Sequence, residues 1–192
     1  MDKFLFAGWL LRRLAEPPFF RRLFAGTLAL LAGGAGLYAV VVFFIGWKGI
    51  FDLAADAMAG GIVYQLTFVV AIYAAVHAAL LRARELDQAT DGDNPVLAVA
   101  AAFCRATGEI WAFAAIPLGL GGGILNWFAG QGAQSIYKPV AGVIFFLKAA
   151  PASFANGGTI IVKGLVYGIA GLLLAYTVAE LLKLAAARAK QP

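Results

Sequence analysis

Charge is scarce in this chain: Asp, Glu, Lys and Arg make up 13% of its 192 residues, against about a quarter in a soluble domain. No ordinary soluble surface can be built from so few. A single cysteine, Cys104, excludes an intramolecular disulfide and any chelating cysteine pair. A single histidine, His77, cannot supply two axial ligands to a haem or three protein ligands to a catalytic zinc within one chain. A partner chain could complete such a site. Catalytic patterns are missing as well, with no H-E-x-x-H, no G-x-S-x-G and no P-loop. The acids Asp87, Asp91 and Asp93 lack the spacing and closing glutamate of an EF-hand loop. No catalytic residue, cofactor or metal is therefore expected, and the chain reads as non-enzymatic.

What is present is apolar. Hydrophobic residues make up 62% of the chain, its mean hydropathy is +0.86, and they fall in blocks of about 20, the length that crosses about 30 Å of hydrocarbon. The fold class expected is all-α integral membrane, with four transmembrane helices and amphipathic interfacial helices. A formal charge of +5 in a soluble chain would raise nucleic acid as a partner. Here the basic residues flank the apolar blocks and read as orientation signals facing lipid headgroups, so the partners expected are the bilayer, further copies of the chain or other membrane subunits, and no nucleic acid.

Residues 1–22 hold Phe4, Leu5, Trp9, Leu11 and Leu14 beside Lys3, Arg12 and Arg13, the two faces of an interfacial amphipathic segment closed by Pro17-Pro18. The interrupted apolar run there does not make a cleavable signal. A first transmembrane hairpin is expected over 23–84, with spans from about Leu23 to Ile45 and Ala57 to Leu81 and a short interfacial helix between them at Trp47 to Asp56. The polar stretch from Arg82 to Asn94 reads as solvated, giving a cytoplasmic loop at 85–95. Asn94-Pro95 is a good helix start. The second hairpin, 96–182, begins with a surface portion up to about Arg105, continues as a third span broken near Pro117 and Gly119 to Gly123, and ends with Ile160 to about Leu182. Between those spans Val140 to Leu147 is too short to cross and reads as a surface or re-entrant helix. Residues 183–192 form a tail. Basic flanks at the N-terminus, at Arg82 and Arg84 and in the tail put both termini in the cytoplasm of a bacterial inner membrane.

The two halves share an order of features: an arginine boundary at Arg22 or Arg105, a Gly-rich span, an aromatic-lysine pair at Trp47-Lys48 or Tyr137-Lys138, a connector and a second span. Two hairpins repeated about an axis along the membrane normal would produce that order.

Small residues spaced four apart mark helix-packing faces. Gly119 with Gly123, Gly164 with Gly168, Ala29 with Gly33 and Ala32 with Gly36 fit that spacing. Candidate intramembrane polar residues are His77, Arg105, Glu109 and Lys163. Arg105 and Glu109 share a helical face at i, i+4 and could pair, or Arg105 could reach phosphates as Arg22 does. His77 suits an interhelical hydrogen bond or a place near headgroups, and Lys163 can extend to headgroups. With few intramembrane charges and many small-residue faces, the expected function is a small membrane subunit or scaffold that packs with itself, with partner proteins and with lipid. The alternatives are a small channel or transporter using Arg105, Glu109 and Lys163, and an accessory subunit of a membrane enzyme complex.

Overall fold

The computed structural model describes residues 17–88 and 95–188. The expected interfacial segment up to residue 16, residues 89–94 of the acidic loop and the last four residues of the tail lie outside the described residues. The elements are α1 (Pro17–Phe51), α2 (Ala55–Gln88), α3 (Pro95–Ala129), a 3-10 turn (Gly130–Ala133), α4 (Gln134–Tyr137) and α5 (Phe154–Arg188), with no strand among the described residues. Four helical stretches, Phe19–Phe51, Ala55–Gln88, Val96–Tyr137 and Phe154–Arg188, are long and apolar enough to cross a membrane. At about 1.5 Å per residue each long helix measures about 50 Å, more than the about 30 Å thickness of a hydrocarbon core.

Helix ends follow local chemistry. Pro17 opens α1 and Pro95 opens α3, where a missing N–H costs nothing. The expected interfacial helix at Trp47 to Asp56 does not form as a separate element. Instead α1 runs on to Phe51, because Ile50 is only 1% exposed against Gly61 of α2, and a tight turn follows with Leu53 N–H donating to the Ile50 carbonyl at 3.1 Å. The polar stretch from Arg82 is likewise helical as far as Gln88, since Ala83 and Leu86 bury in a cluster with Leu28 and Val99. Residues 183–188, expected in the tail, continue α5.

Helix α3 is the centre of the fold. It packs along α5 on one side and α2 on another, while α1 packs mainly on α2. The glycines at 119 to 123 do not break it, contrary to the sequence expectation, and helix α3 also passes through Pro117. Each glycine admits a different neighbour: Gly119 meets Gly164 of α5, Gly121 meets Thr67 and Tyr64 of α2, and Gly122 meets Leu147 of the connecting segment. A run that looks like a breaker is a surface approached from three directions at once.

Between Tyr137 and Phe154 the chain turns back into the bundle. Val140 to Leu147, a segment re-entrant into the bundle, forms successive turns rather than the expected helix, with Ile144 N–H bonded to the Val140 carbonyl at 2.8 Å and Leu147 N–H to the Ile144 carbonyl at 3.0 Å. Val140, Ile144, Phe146 and Leu147 are buried in the main core. Gly130 starts this excursion with φ +51°, and a Cβ there would lie 2.7 Å from the Ala152 nitrogen, so glycine is required at that position. A two-fold repeat of hairpins would map the α2–α3 contact onto α5 and α1. Those two helices do not pack as an extensive pair. The re-entrant segment sits between them, with Tyr38 of α1 donating to the Pro139 carbonyl at 2.9 Å and the Phe145 ring 5.0 Å from that of Tyr167 on α5.

Candidate functional site

Six charged side chains meet toward the end of the bundle where α2 and α5 finish. Arg82 of α2 donates to both carboxylate oxygens of Glu109 on α3, from Nε at 2.7 Å and from a terminal nitrogen at 2.5 Å. Its other terminal nitrogen bonds Glu85 at 2.5 Å. Tyr176 of α5 donates its hydroxyl to Glu109 at 2.5 Å. Arg105 does not pair with Glu109, four residues away on its own helix. It pairs with Glu180 of α5, and its guanidinium lies 5.5 Å from the centre of the Tyr176 ring. Lys183 adds a second cation to Glu180 at 3.3 Å.

Three cations and three carboxylates thus balance in one belt that ties α2 to α3 and α3 to α5. Glu109 is its most enclosed member, with a side chain 12% exposed against 31% for Arg82. Bidentate arginine–carboxylate geometry fixes direction as well as attraction, so the belt sets the register of three helices. The register is also set sterically. A Cβ built on Gly119 would lie 2.6 Å from the Gly164 Cα, and one on Gly168 would meet Ile116 at 2.6 Å. Gly123 faces Gly157 and Ile161 on the same seam. Four of the six glycines expected at packing faces are therefore where α3 meets α5. Gly33 has open space around it, and Gly36 would meet only Val76, at 3.9 Å.

Next to the belt lies a cleft of about 680 Å³ bounded by α2, α3 and α5, a size within the range of about 300–1,000 Å³ common for ligand sites. Leu81, Phe113, Pro117 and Leu172 make its apolar body, and Arg82 and Glu85 stand at its polar end. Pro117 has no N–H for the Phe113 carbonyl, so the helical ladder loses a bond at the height of the cleft. Because α2 and α5 flank α3 without packing extensively on each other, the cleft opens between them.

The re-entrant segment forms the second polar concentration. Irregular backbone packed into a bundle must find its hydrogen bonds within the protein. Asn126 accepts from Ala150 N–H at 3.0 Å, Gln134 accepts from Ala149 N–H at 3.4 Å, and Tyr137 donates to the Gly122 carbonyl. Trp111 lies under the tip, its ring stacked on Phe145 at 6.0 Å and its indole N–H donating to the Tyr167 carbonyl at 2.9 Å. Asn126 Nδ2 and the Tyr64 hydroxyl are buried without a partner.

The remaining candidates stand apart. His77 is exposed on the outward face of α2 and stacks on Tyr73 at 5.6 Å rather than bonding another helix. Lys163 is exposed and lies about 20 Å along α5 from Tyr176, far from Arg105 and Glu109. Among the described residues no group of three or more His, Cys, Asp or Glu could hold a metal ion. Sequence reasoning missed Arg82, Tyr176 and Glu180 as partners in the belt, and Tyr38, Asn126 and Gln134 as anchors of the re-entrant segment. The signal for Arg82 and Glu180 was their place at the polar boundary of a span. No known protein family, curated protein or solved structure matches this chain.

Proposed function

We propose that the chain is a non-enzymatic membrane scaffold or subunit, packing with itself or with partner membrane proteins and with lipid. Its orientation in this reading puts the Arg22, Arg82 and Lys183 end in the cytoplasm of a bacterial inner membrane, following the basic flanks. The observation that carries the proposal is the charge balance of the belt: each of its carboxylates is paired with an arginine or lysine of the belt. Pairs that cross from helix to helix, Arg82 with Glu109 and Arg105 with Glu180, hold helices in place, whereas a transport path needs charges that meet a solute. The test is purification in mild detergent followed by native mass spectrometry, which should find further copies or other subunits bound, and reconstitution into vesicles, which should give no solute flux above empty vesicles. Flux through the purified protein would overturn the reading.

One observation favours a channel or transporter as the second reading. Non-helical backbone that penetrates a helical bundle is tolerated where it is buried in protein or where it lines a cavity, and Val140 to Leu147 penetrates this one. Val140, Ile144, Phe146 and Leu147 are packed into the core while Val143 and Phe145 are exposed, no charge lies in the segment, and Lys163 stands away from the other two charges, so the scaffold is the better supported of the two.

A further inference from the structure

The cleft between α2, α3 and α5 has a shape, a depth and a polar end that together point to an occupant. Glu109 lies about 30 Å along α3 from Ala129, which places the belt where about 30 Å of hydrocarbon gives way to headgroups when the far helix ends mark the other boundary. Below that level the walls are Leu81, Phe113 and Leu172, and the opening lies between two helices that do not close on each other. An apolar cleft opening sideways at this depth meets acyl chains rather than water.

At the polar end, Arg82 spends three of its five guanidinium N–H groups on Glu109 and Glu85. Two donors remain. Glu85 accepts from Arg82 through one oxygen only, and its side chain is 62% exposed, which leaves the other oxygen to an outside donor. A cation with spare donors beside an anion with a spare acceptor complements a headgroup that carries both charges. We propose that this cleft binds one membrane phospholipid with a phosphoethanolamine headgroup, its phosphate on Arg82, its ammonium on Glu85 and one acyl chain along Leu81 and Phe113. A phosphocholine head has no N–H to give Glu85, and an anionic head would leave Glu85 facing negative charge. The proposal deepens the scaffold reading by naming the lipid, and it depends on the chain being membrane-embedded.

The test uses the full chain in detergent, exposed in turn to phosphoethanolamine, phosphocholine and phosphoglycerol lipids of identical acyl chains, with retained lipid counted by native mass spectrometry. The wild type should retain the phosphoethanolamine lipid about tenfold over phosphocholine, the ratio one charge-assisted hydrogen bond supplies. Glu85→Gln should erase that preference while leaving the folded state intact. Leu81→Trp should fill the cleft and remove the lipid, and Leu173→Trp, on an outward position 62% exposed, should leave it bound. Equal retention of all three headgroups, preference for the anionic lipid, or lipid bound unchanged in Leu81→Trp would each overturn the proposal. Absence of flux in vesicles together with any of those results would leave the scaffold reading standing and remove only the lipid site.

Discussion

The two helical hairpins carry the same small-residue spacing and use it differently. Between α3 and α5, Gly119 meets Gly164 and Gly168 meets Ile116 at distances that leave no room for a side chain, and Trp111 and Trp127 each donate to a carbonyl on α5. Between α1 and α2, Ala25, Leu28, Ala32, Ala79 and Ala83 pack in one cluster, Gly26, Gly33 and Gly34 face open space, and the tight glycines, Gly46 against Gln65 and Gly61 against Ile50, meet side chains rather than backbone. A small-x3-small pattern therefore marks where a backbone can be approached, and the neighbour is decided elsewhere. On α5 the decision comes from the belt and the re-entrant segment.

The largest effect that would break this contrast is steric. Gly119→Leu or Gly164→Leu should cost more than the about 1–3 kcal/mol typical of overpacking, because the obstacle is the facing backbone, and should abolish a monodisperse peak in size-exclusion chromatography. Gly33→Leu should change the thermal unfolding midpoint little, within about 0.5 kcal/mol. A Gly33→Leu chain that stays folded yet loses a co-purifying subunit would assign the open α1 face to a partner.

Next in size is the re-entrant segment. Asn126→Leu should remove the acceptor for Ala150 N–H and cost about 1–3 kcal/mol, read as a lower midpoint and as faster proteolysis within 138–153. If the midpoint is unchanged and the segment stays protected, Asn126 does not anchor it. A smaller effect is expected from Arg105→Lys, which keeps the ion pair with Glu180 and loses the planar guanidinium over Tyr176. That loss should be below about 1 kcal/mol, and a larger drop would show that guanidinium geometry matters at the belt.

Several of these features could be read from the residues. Four apolar spans follow from block length, the α3 start from Asn94-Pro95, and the glycine seam from spacing on α3 and α5. The pairing of Arg82 with Glu109 could not be read, because it depends on how α2 slides against α3, and that register is fixed by Gly121 against Thr67 and Tyr64. Arg105 and Glu109 offered the nearer pair by sequence, but Glu180 and Arg82 outcompete it across helix interfaces. Val140 to Leu147 was too short to span, which is legible. Its depth was not, since the side chains that hold its two flanks, Tyr38 on the Pro139 carbonyl and Asn126 and Gln134 on the Ala150 and Ala149 N–H groups, are far apart along the chain. The shared order of features in the halves also left no trace of the asymmetry, as the segment that separates α1 from α5 has no counterpart in the first half.

The central claim is that the charges of the belt hold helices together instead of handling a solute, and a charge exchange tests it most directly. Arg82→Glu and Glu109→Arg, made singly, should each place like charges in contact, and the folded, monodisperse fraction should fall. Made together, Arg82→Glu and Glu109→Arg should restore much of that fraction, with a coupling of about 1–3 kcal/mol in the thermal midpoints, and flux in reconstituted vesicles should stay at background throughout. Single variants that remain fully folded but abolish a flux carried by the wild type, with no recovery in the double variant, would contradict the account.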